Sequence, residues 1–100
     1  MIKIKFDYDS SYVTNIRITG HANFDEYGKD IVCAAASSIA ITSLNACLRI
    51  NSKSIIIKQS EGLIDAKVLV KDDIINKILL NMKDMYTDLK EQYSENIKII

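Results

Sequence analysis

IKIKFDYDSSYVTNIRIT, residues 2–19, predicts a β-hairpin at the start of the chain. In its first half apolar residues alternate with charged ones, the period of a half-buried strand: Ile2, Ile4, Phe6 and Tyr8. Asp9-Ser10-Ser11 has turn chemistry. The second half, residues 12–19, places every other residue on one predicted face: Tyr12, Thr14, Ile16 and Ile18. Two such strands with a short connection indicate an antiparallel hairpin.

After this hairpin the apolar period becomes helical, from Ile31 to about Ile50. Asp30 precedes this helix and is a good N-cap residue. Apolar side chains lie on several sides of the helix, so we expect several sides to be covered. The sheet can cover one side, and a second helix or a partner subunit the other.

The rest of the chain predicts a second hairpin, a second helix and a short strand. The hairpin strands are expected at residues 54–59 and 63–70, with a turn at 60–62. Asp72 and Asp73 open the second helix, whose core stripe is Ile75, Ile78, Met82, Met85, Leu89 and Tyr93. Residues 96–100 form the last strand. The order ββαββαβ predicts one α+β domain over residues 1–100, with two helices on a mainly antiparallel sheet.

The composition excludes several classes of protein. Hydrophobic residues make up 48% of the chain, which is enough for one core. With 13 basic and 13 acidic residues the net charge is zero, so we expect no direct nucleic acid binding. No segment resembles a signal peptide or approaches the ~20 apolar residues of a membrane span. We therefore expect a cytoplasmic protein with reduced thiols and no membrane partner.

Two cysteines and one histidine are too few for a disulfide scaffold or a cysteine-rich zinc module. Asp25, Glu26 and Asp30 lack the ligand pattern of a calcium loop. The chain also has no glycine-rich phosphate loop. We expect no metal and no cofactor.

Cys33 and His21 are the residues that can carry chemistry. Cys33 falls in the first turn of the predicted helix, where unpaired N–H groups and the helix dipole favour a thiolate. The same N–H groups can stabilise an oxyanion. His21 follows the second strand and can act as base and acid, if the loop brings it to Cys33. From position alone, Cys33 as a buried small residue remains the more frequent alternative. Cys47, in the middle of the same helix, is expected in the core.

The segment GHANFDEYGKDIVCAAASS, residues 20–38, resembles the signature of the bacterial ribosomal-processing cysteine proteases. That pattern is Gly-His-Ala, a loop, Tyr-Gly, one residue, Asp-Ile-Val-Cys-Ala and then Ser. The stretch from Glu91 to Ile97 is also similar. The resemblance implies a homodimeric endopeptidase that removes the N-terminal extension of a large-subunit ribosomal protein precursor. The implied cut follows an aromatic pair and precedes a small residue.

The resemblance also implies roles for particular residues. Cys33 is the implied nucleophile and His21 the general base and acid, whereas supporting positions are matched by Gly20, Asp30 and Ser37. Asp30 can cap the helix or orient His21, and the sequence does not choose between these roles. Phe24 and Tyr27, in the loop with Gly28, either anchor the loop against the core or form a lid over aromatic substrate residues. The competing hypothesis is a non-catalytic ribosome-associated binding module in which Cys33 is a redox-sensitive thiol.

Overall fold

The computed structural model describes all 100 residues and contains five strands and two helices. In chain order the elements are β1 (Ile2–Asp9), β2 (Tyr12–Thr19), α1 (Ile31–Ile50), β3 (Ile55–Ser60), β4 (Leu63–Val68), α2 (Asp73–Gln92) and β5 (Ile97–Ile99). The predicted element order and the α+β class are confirmed. The ends differ slightly, since β4 stops two residues before Val70 and β3 begins one residue after Ser54.

The strands form one mixed sheet in the order β3-β4-β2-β1-β5. Both hairpins are antiparallel, as predicted, and β2 of the first pairs antiparallel with β4 of the second. β5 pairs parallel with β1, with Ile2 opposite Ile97. This arrangement places the last strand beside the first, and the chain reaches Gly20 at the end of the central strand β2.

A β-bulge corrects the predicted face of β2. Asp7 pairs with Asn15 but Tyr8 pairs with Val13, so Thr14 is an extra residue in the ladder. The alternation predicts that Tyr12 and Thr14 lie on the buried face of β2, but Val13 is the buried residue there. Tyr8, predicted on the buried face of β1, is exposed. A single extra residue inverts the faces of every position beyond it, because side chains alternate along a strand.

The two helices pack on one face of the sheet and against each other. Tyr86 of α2 is fully buried, and its hydroxyl donates to the carbonyl of Ala36 in α1 at 2.8 Å. The core stripe of α2 is Ile75, Leu79, Met82 and Tyr86. The prediction was right for Ile75 and Met82 and wrong for Met85, which is exposed. The true stripe lies at spacings of four, three and four, so it runs along a neighbouring line of the helix.

α1 meets the length and composition criteria of a membrane-crossing helix, contrary to the expectation that no segment would. The core helix of a globular domain meets the same criteria. Six residues of α1 are buried, among them Val32, Ala36 and Leu44 in the core cluster between sheet and helices. Burial against both elements accounts for the apolar character of this side of α1.

Candidate active site

His21 and Cys33 line the same cleft, which has a volume of about 740 Å³. The cleft lies where β2 ends, α1 begins and the β3–β4 turn folds over them. The loop of residues 20–30 supplies one wall and the turn of residues 59–64 the opposite wall. The topology therefore brings together two residues that are separated by an irregular loop.

Asp30 caps α1 and ties the preceding loop to it. Its Oδ1 accepts the N–H groups of Val32 and Cys33, both at 2.9 Å. Its Oδ2 accepts the N–H groups of Phe24 at 2.9 Å and Asp25 at 3.3 Å. Both oxygens are engaged by the backbone, so the structure resolves the two alternatives in favour of the cap.

The cap also determines the acidity of Asp30. Desolvation opposes ionisation, but hydrogen bonds from the Cys33, Phe24, Asp25 and Val32 N–H groups outweigh it and lower the pKa of Asp30. The Asp30 carboxylate lies at the positive end of the α1 dipole and accepts backbone hydrogen bonds at both of its oxygens.

The sulfur of Cys33 is half-buried and accepts the backbone N–H of Ala22 at 3.2 Å. A donor at this distance stabilises negative charge on sulfur. The expectation that N–H groups of the first helical turn are free for an oxyanion is wrong in one respect. Those of Val32 and Cys33 are used by Asp30, and that of Ala34 donates to the Asp30 carbonyl at 3.1 Å. Ala22 therefore supplies the backbone N–H that the sulfur accepts.

The imidazole of His21 lies against Gly62 in the β3–β4 turn. A Cβ placed on Gly62 would be 3.2 Å from His21 Nε2, closer than an ordinary van der Waals contact. Gly62 has a φ of +69°, which favours glycine. The imidazole ring thus packs against a turn residue that has no side chain.

Gly20 and Gly28 both have a φ of +88° but differ in their surroundings. A Cβ on Gly20 would meet the carbonyl oxygen of Met1 at 2.3 Å, whereas one on Gly28 would have no neighbour within 4 Å. The Gly20 N–H also donates to the carbonyl of Gly62 at 2.9 Å. Gly20 is therefore required by packing, and it fixes the position from which His21 leaves β2.

The two loop aromatics occupy different environments. The ring of Phe24 makes an edge-to-face contact with that of Tyr93, with centroids 5.3 Å apart. Tyr27 is 92% exposed and lines the cleft beside Gly28. Phe24 therefore anchors the loop against Tyr93, whereas the exposed ring of Tyr27 can contact a ligand.

Ser37 lines the cleft one helical turn after Cys33, on the same side of α1. It is exposed. Its hydroxyl can therefore reach a bound peptide as well as the neighbourhood of the sulfur.

Two contributors to this site were not predicted from the sequence. Gly62 supports His21, and Asn96 donates through Nδ2 to the carbonyl of Ala22 at 3.0 Å. Asn96 lies within residues 91–97, the second stretch that is similar to the family. Asn96 therefore holds the peptide segment whose N–H group faces the Cys33 sulfur.

Cys47 is fully buried in the core, as predicted. Burial raises the pKa of its thiol to about 11, because a thiolate loses its hydration there. The two cysteines of α1 thus lie in opposite environments.

The family model of the cysteine protease Prp matches residues 1–98 of the chain. The ribosomal processing cysteine protease Prp of Staphylococcus aureus is 33% identical over 94 residues, covering 91% of this chain and 89% of that protein. The Bacillus subtilis protein of that name is 39% identical over 36 residues, covering 36% of this chain and 32% of that protein.

Two crystal structures of the S. aureus protease have the same fold. The structure with a covalently linked product peptide gives a TM-score of 0.93 at 32% identity and covers 99% of this chain and 97% of that one. The structure with a substrate peptide gives a TM-score of 0.87 at 31% identity, covering 100% and 98%. The family match extends over nearly the whole chain and the fold agrees throughout, so this protein belongs to the family of ribosomal processing cysteine proteases.

Proposed function

We propose that this cysteine protease removes the N-terminal extension of a large-subunit ribosomal protein, with Cys33 as nucleophile and His21 as general acid and base. The observation that carries the proposal is the cleft that both residues line, with a backbone donor at the Cys33 sulfur. Membership of a protease family sets aside the alternative of a non-catalytic binding module. A ribosomal protein is made and processed in the cytoplasm, which is where we place the enzyme.

In the acylation step the Cys33 thiolate attacks the scissile carbonyl carbon and a C–S bond forms. The π electrons of the carbonyl move to its oxygen, which becomes an oxyanion. His21, protonated, gives its proton to the departing amine as the C–N bond breaks. Water then attacks the acyl-enzyme with His21 as base, and Cys33 leaves as thiolate. Both half-reactions conserve charge within the dyad.

The N–H of Ala22 is our candidate oxyanion donor. Once the sulfur has formed the C–S bond its negative charge moves to the substrate oxygen, an atom two bonds away. A donor 3.2 Å from the sulfur can follow that charge with a small movement. Asn96 fixes the opposite side of this segment through the Ala22 carbonyl and is a positioning residue in this scheme.

His21 has to turn from Gly62 toward Cys33 during the reaction. It is exposed, so no packing in the core opposes this movement. A substrate entering between the loop of residues 20–30 and the turn of residues 59–64 would occupy the space beside Gly62 and favour the turned ring. Peptide binding would thereby assemble the dyad.

The proposed specificity is for an aromatic pair before the scissile bond, followed by a small residue. Tyr27 lies at the cleft wall with its ring free, and Gly28 beside it leaves space above the loop. An aromatic ring offered by Tyr27 can stack edge-to-face with substrate rings. Ser37 can donate to a substrate carbonyl from the floor of the cleft.

The test is cleavage of a synthetic peptide with two consecutive aromatic residues followed by alanine. Mass spectrometry should find one cut, after the second aromatic residue, and none in a peptide whose aromatic pair is replaced by alanines. The Cys33→Ala protein should give no product, because alanine keeps the helix but removes the nucleophile. Turnover by that variant, or cleavage elsewhere in the peptide, would contradict the proposal.

A homodimer is the second part of the proposal. α1 keeps apolar residues on its exposed side as well, including Ile41, which is 49% exposed. A groove of about 220 Å³ between the helices continues this surface and is lined in part by Ile39, Ala46, Ile78 and Met85. A twofold axis at this face would bury both copies of the surface together.

Light scattering at micromolar concentration should give twice the 11.3 kDa mass of one chain. Ile41→Glu should lower that mass to a monomer's, because it would bury an unpaired charge. Ile56→Glu is the matched control, since Ile56 is 50% exposed on the opposite face of the sheet. A monomeric wild-type protein would refute the dimer.

A further inference from the structure

The face of the sheet that the helices leave open is dominated by basic residues. We call this surface the outer face; it consists of the exposed positions of all five strands. Its charged residues are Lys3, Lys5, Asp7, Asp9, Arg17, Lys58, Asp65, Lys67 and Lys98. Six are basic and three acidic, although the chain as a whole is neutral. The remaining surface is therefore net acidic, and the molecule is electrically polarised.

The strand register brings these charges together across the sheet. Lys98 of β5 pairs with Lys3 of β1, and Lys5 pairs with Arg17 of β2. Arg17 in turn pairs with Asp65 of β4. Neighbouring strands lie about 4.8 Å apart, so like charges directly opposite each other repel unless an anion lies between them.

Internal ion pairs account for only part of this charge. Lys5 contacts Asp7 at 3.7 Å and Arg17 contacts Asp65 at 3.4 Å. Asp9, the third acidic residue of the outer face, contacts Lys71 at 2.9 Å, so all three acidic residues are paired. The remaining four lysines have no acidic partner within 4.0 Å: Lys3, Lys58, Lys67 and Lys98. The outer face thus presents four free ammonium groups spread over four strands.

We propose that the outer face binds the phosphate backbone of RNA, although the zero net charge of the chain predicts no direct nucleic acid binding. Lysine ammonium groups on flexible stems suit phosphate contacts that carry no sequence information. Binding would therefore depend on salt and be insensitive to sequence.

The choice of RNA rests on the proposed function. A protein processed for the ribosome binds RNA and must itself carry cations, so the basic face does not fit the substrate. It fits the polyanion to which such a substrate is attached. Lys3 pairs with Thr19, and Thr19 pairs with Leu63, so the three residues lie side by side across β1, β2 and β4. Leu63 lines the cleft. RNA on the outer face would therefore lie beside the cleft entrance.

Binding of a fluorescent single-stranded 20-nucleotide RNA should be measured by anisotropy between 50 and 300 mM salt. Four phosphate contacts predict a slope of log affinity against log salt of about −3. The test variant combines Lys3→Gln, Lys67→Gln and Lys98→Gln. The matched control combines Lys53→Gln, Lys77→Gln and Lys90→Gln, three lysines elsewhere with no acidic partner. Both variants lose three charges.

We expect the outer-face variant to lose at least about tenfold in affinity at 50 mM salt, with a slope near −1, and the control to lose less than about threefold. DNA of the same sequence should bind equally, because the contacts are to phosphates. Equal losses in the two variants, or binding of poly-glutamate as tight as that of RNA, would overturn the proposal. So would wild-type binding that salt does not weaken. Peptide cleavage by both variants should stay at the wild-type rate, and it tests the proposed function separately from RNA binding.

Discussion

The N–H of Ala22, the residue that follows His21 in the chain, donates to the sulfur of Cys33 at 3.2 Å, and no hydrogen bond joins His21 to that sulfur. His21 instead lies over Gly62 on the far wall of the cleft. In the free protein the sulfur's electrostatic environment is therefore made by backbone groups. In the proposed mechanism the imidazole therefore acts at a later stage of the reaction.

Replacing His21 by alanine should abolish peptide cleavage but leave alkylation of Cys33 in the free protein within about threefold of wild type. The reason is that the sulfur is stabilised by Ala22 and the helix N-terminus, whose effect of about 0.3–1 kcal/mol survives the change. The rate of Cys33 alkylation is measured by iodoacetamide labelling between pH 6 and 9, followed by mass spectrometry. A large loss of labelling would show that His21 already pairs with Cys33 before substrate arrives.

Cys47 provides the internal control for that measurement. With a pKa of about 11 and no exposure, it should stay unlabelled at pH 8 until the protein is unfolded. Labelling of Cys47 under native conditions would mean that α1 opens, and the Cys33 rates would then have to be corrected for unfolding.

Asp30→Ala should destabilise the protein by about 1 kcal/mol through loss of the cap and should also abolish activity, because the loop loses its attachment to α1. Asp72→Ala is the matched control. Asp72 caps α2 in the same manner, accepting from Ile74 at 2.9 Å and Ile75 at 3.0 Å, but holds no loop. Urea unfolding of Asp72→Ala should show a similar loss in the free energy of unfolding, and its peptide cleavage activity should be retained. Equal activity losses would reduce the role of Asp30 to helix stability.

The pH dependence of Asp30 has a definite sign. Its pKa is lower in the folded protein, so its charge stabilises fully above the unfolded-state value of about 3.9. That contribution disappears as the pH falls through the lower folded-state value. The stability difference between wild type and Asp30→Asn should therefore shrink between pH 7 and pH 2.

Gly20→Ala and Gly28→Ala should differ sharply although both glycines have the same φ. Positive φ costs an alanine about 1–2 kcal/mol at either position. At Gly20 the new Cβ would also overlap the Met1 carbonyl and displace β1 from the end of β2. Thermal unfolding should show a much larger loss for Gly20→Ala, together with loss of activity. Similar melting temperatures for the two variants would contradict the steric argument.

Asn96→Ala should lower kcat by at least about tenfold with a smaller effect on KM, because misplacing a reacting group affects the transition state most. The rate of Cys33 alkylation should fall as well. Asn76→Ala is the control, since Asn76 donates to the Ser11 carbonyl at 3.0 Å and accepts the Val13 N–H at 2.9 Å, far from the cleft. Each lost hydrogen bond costs about 1 kcal/mol of stability, so the control should be destabilised at least as much as Asn96→Ala. Loss of activity in both would mean that only stability is affected.

Much of this structure was predictable because its signals are local. Apolar residues alternate in residues 2–8 and follow the helical period in residues 31–50. Both patterns arise because each element has the core on one side and solvent on the other. The Asp30 cap belongs to the same class, since it acts over three residues. His21 and Cys33 were found through a signature in one segment of the chain.

What escaped prediction depends on contacts across the fold. The bulge at Thr14 leaves no mark in the composition of β2, and only the pairing with β1 reveals it. Gly62 and Asn96 reach the site from positions 41 and 74 residues beyond His21 and Ala22, through turns whose placement the strand order sets. The basic outer face is divided among five strands, so no single segment of the sequence is rich in lysine.

The tie between Asn96 and Ala22 also has a consequence for the order in which the enzyme becomes competent during its own translation. Residues 93–97 are synthesised after both hairpins and both helices, yet they supply the ring against Phe24, the donor to Ala22 and the strand beside β1. A nascent chain that already contains His21 and Cys33 has its loop tied at Asp30 but still lacks these three contacts. We therefore expect the peptide segment beside the Cys33 sulfur to reach its final position only after residues 93–97 have emerged from the ribosome.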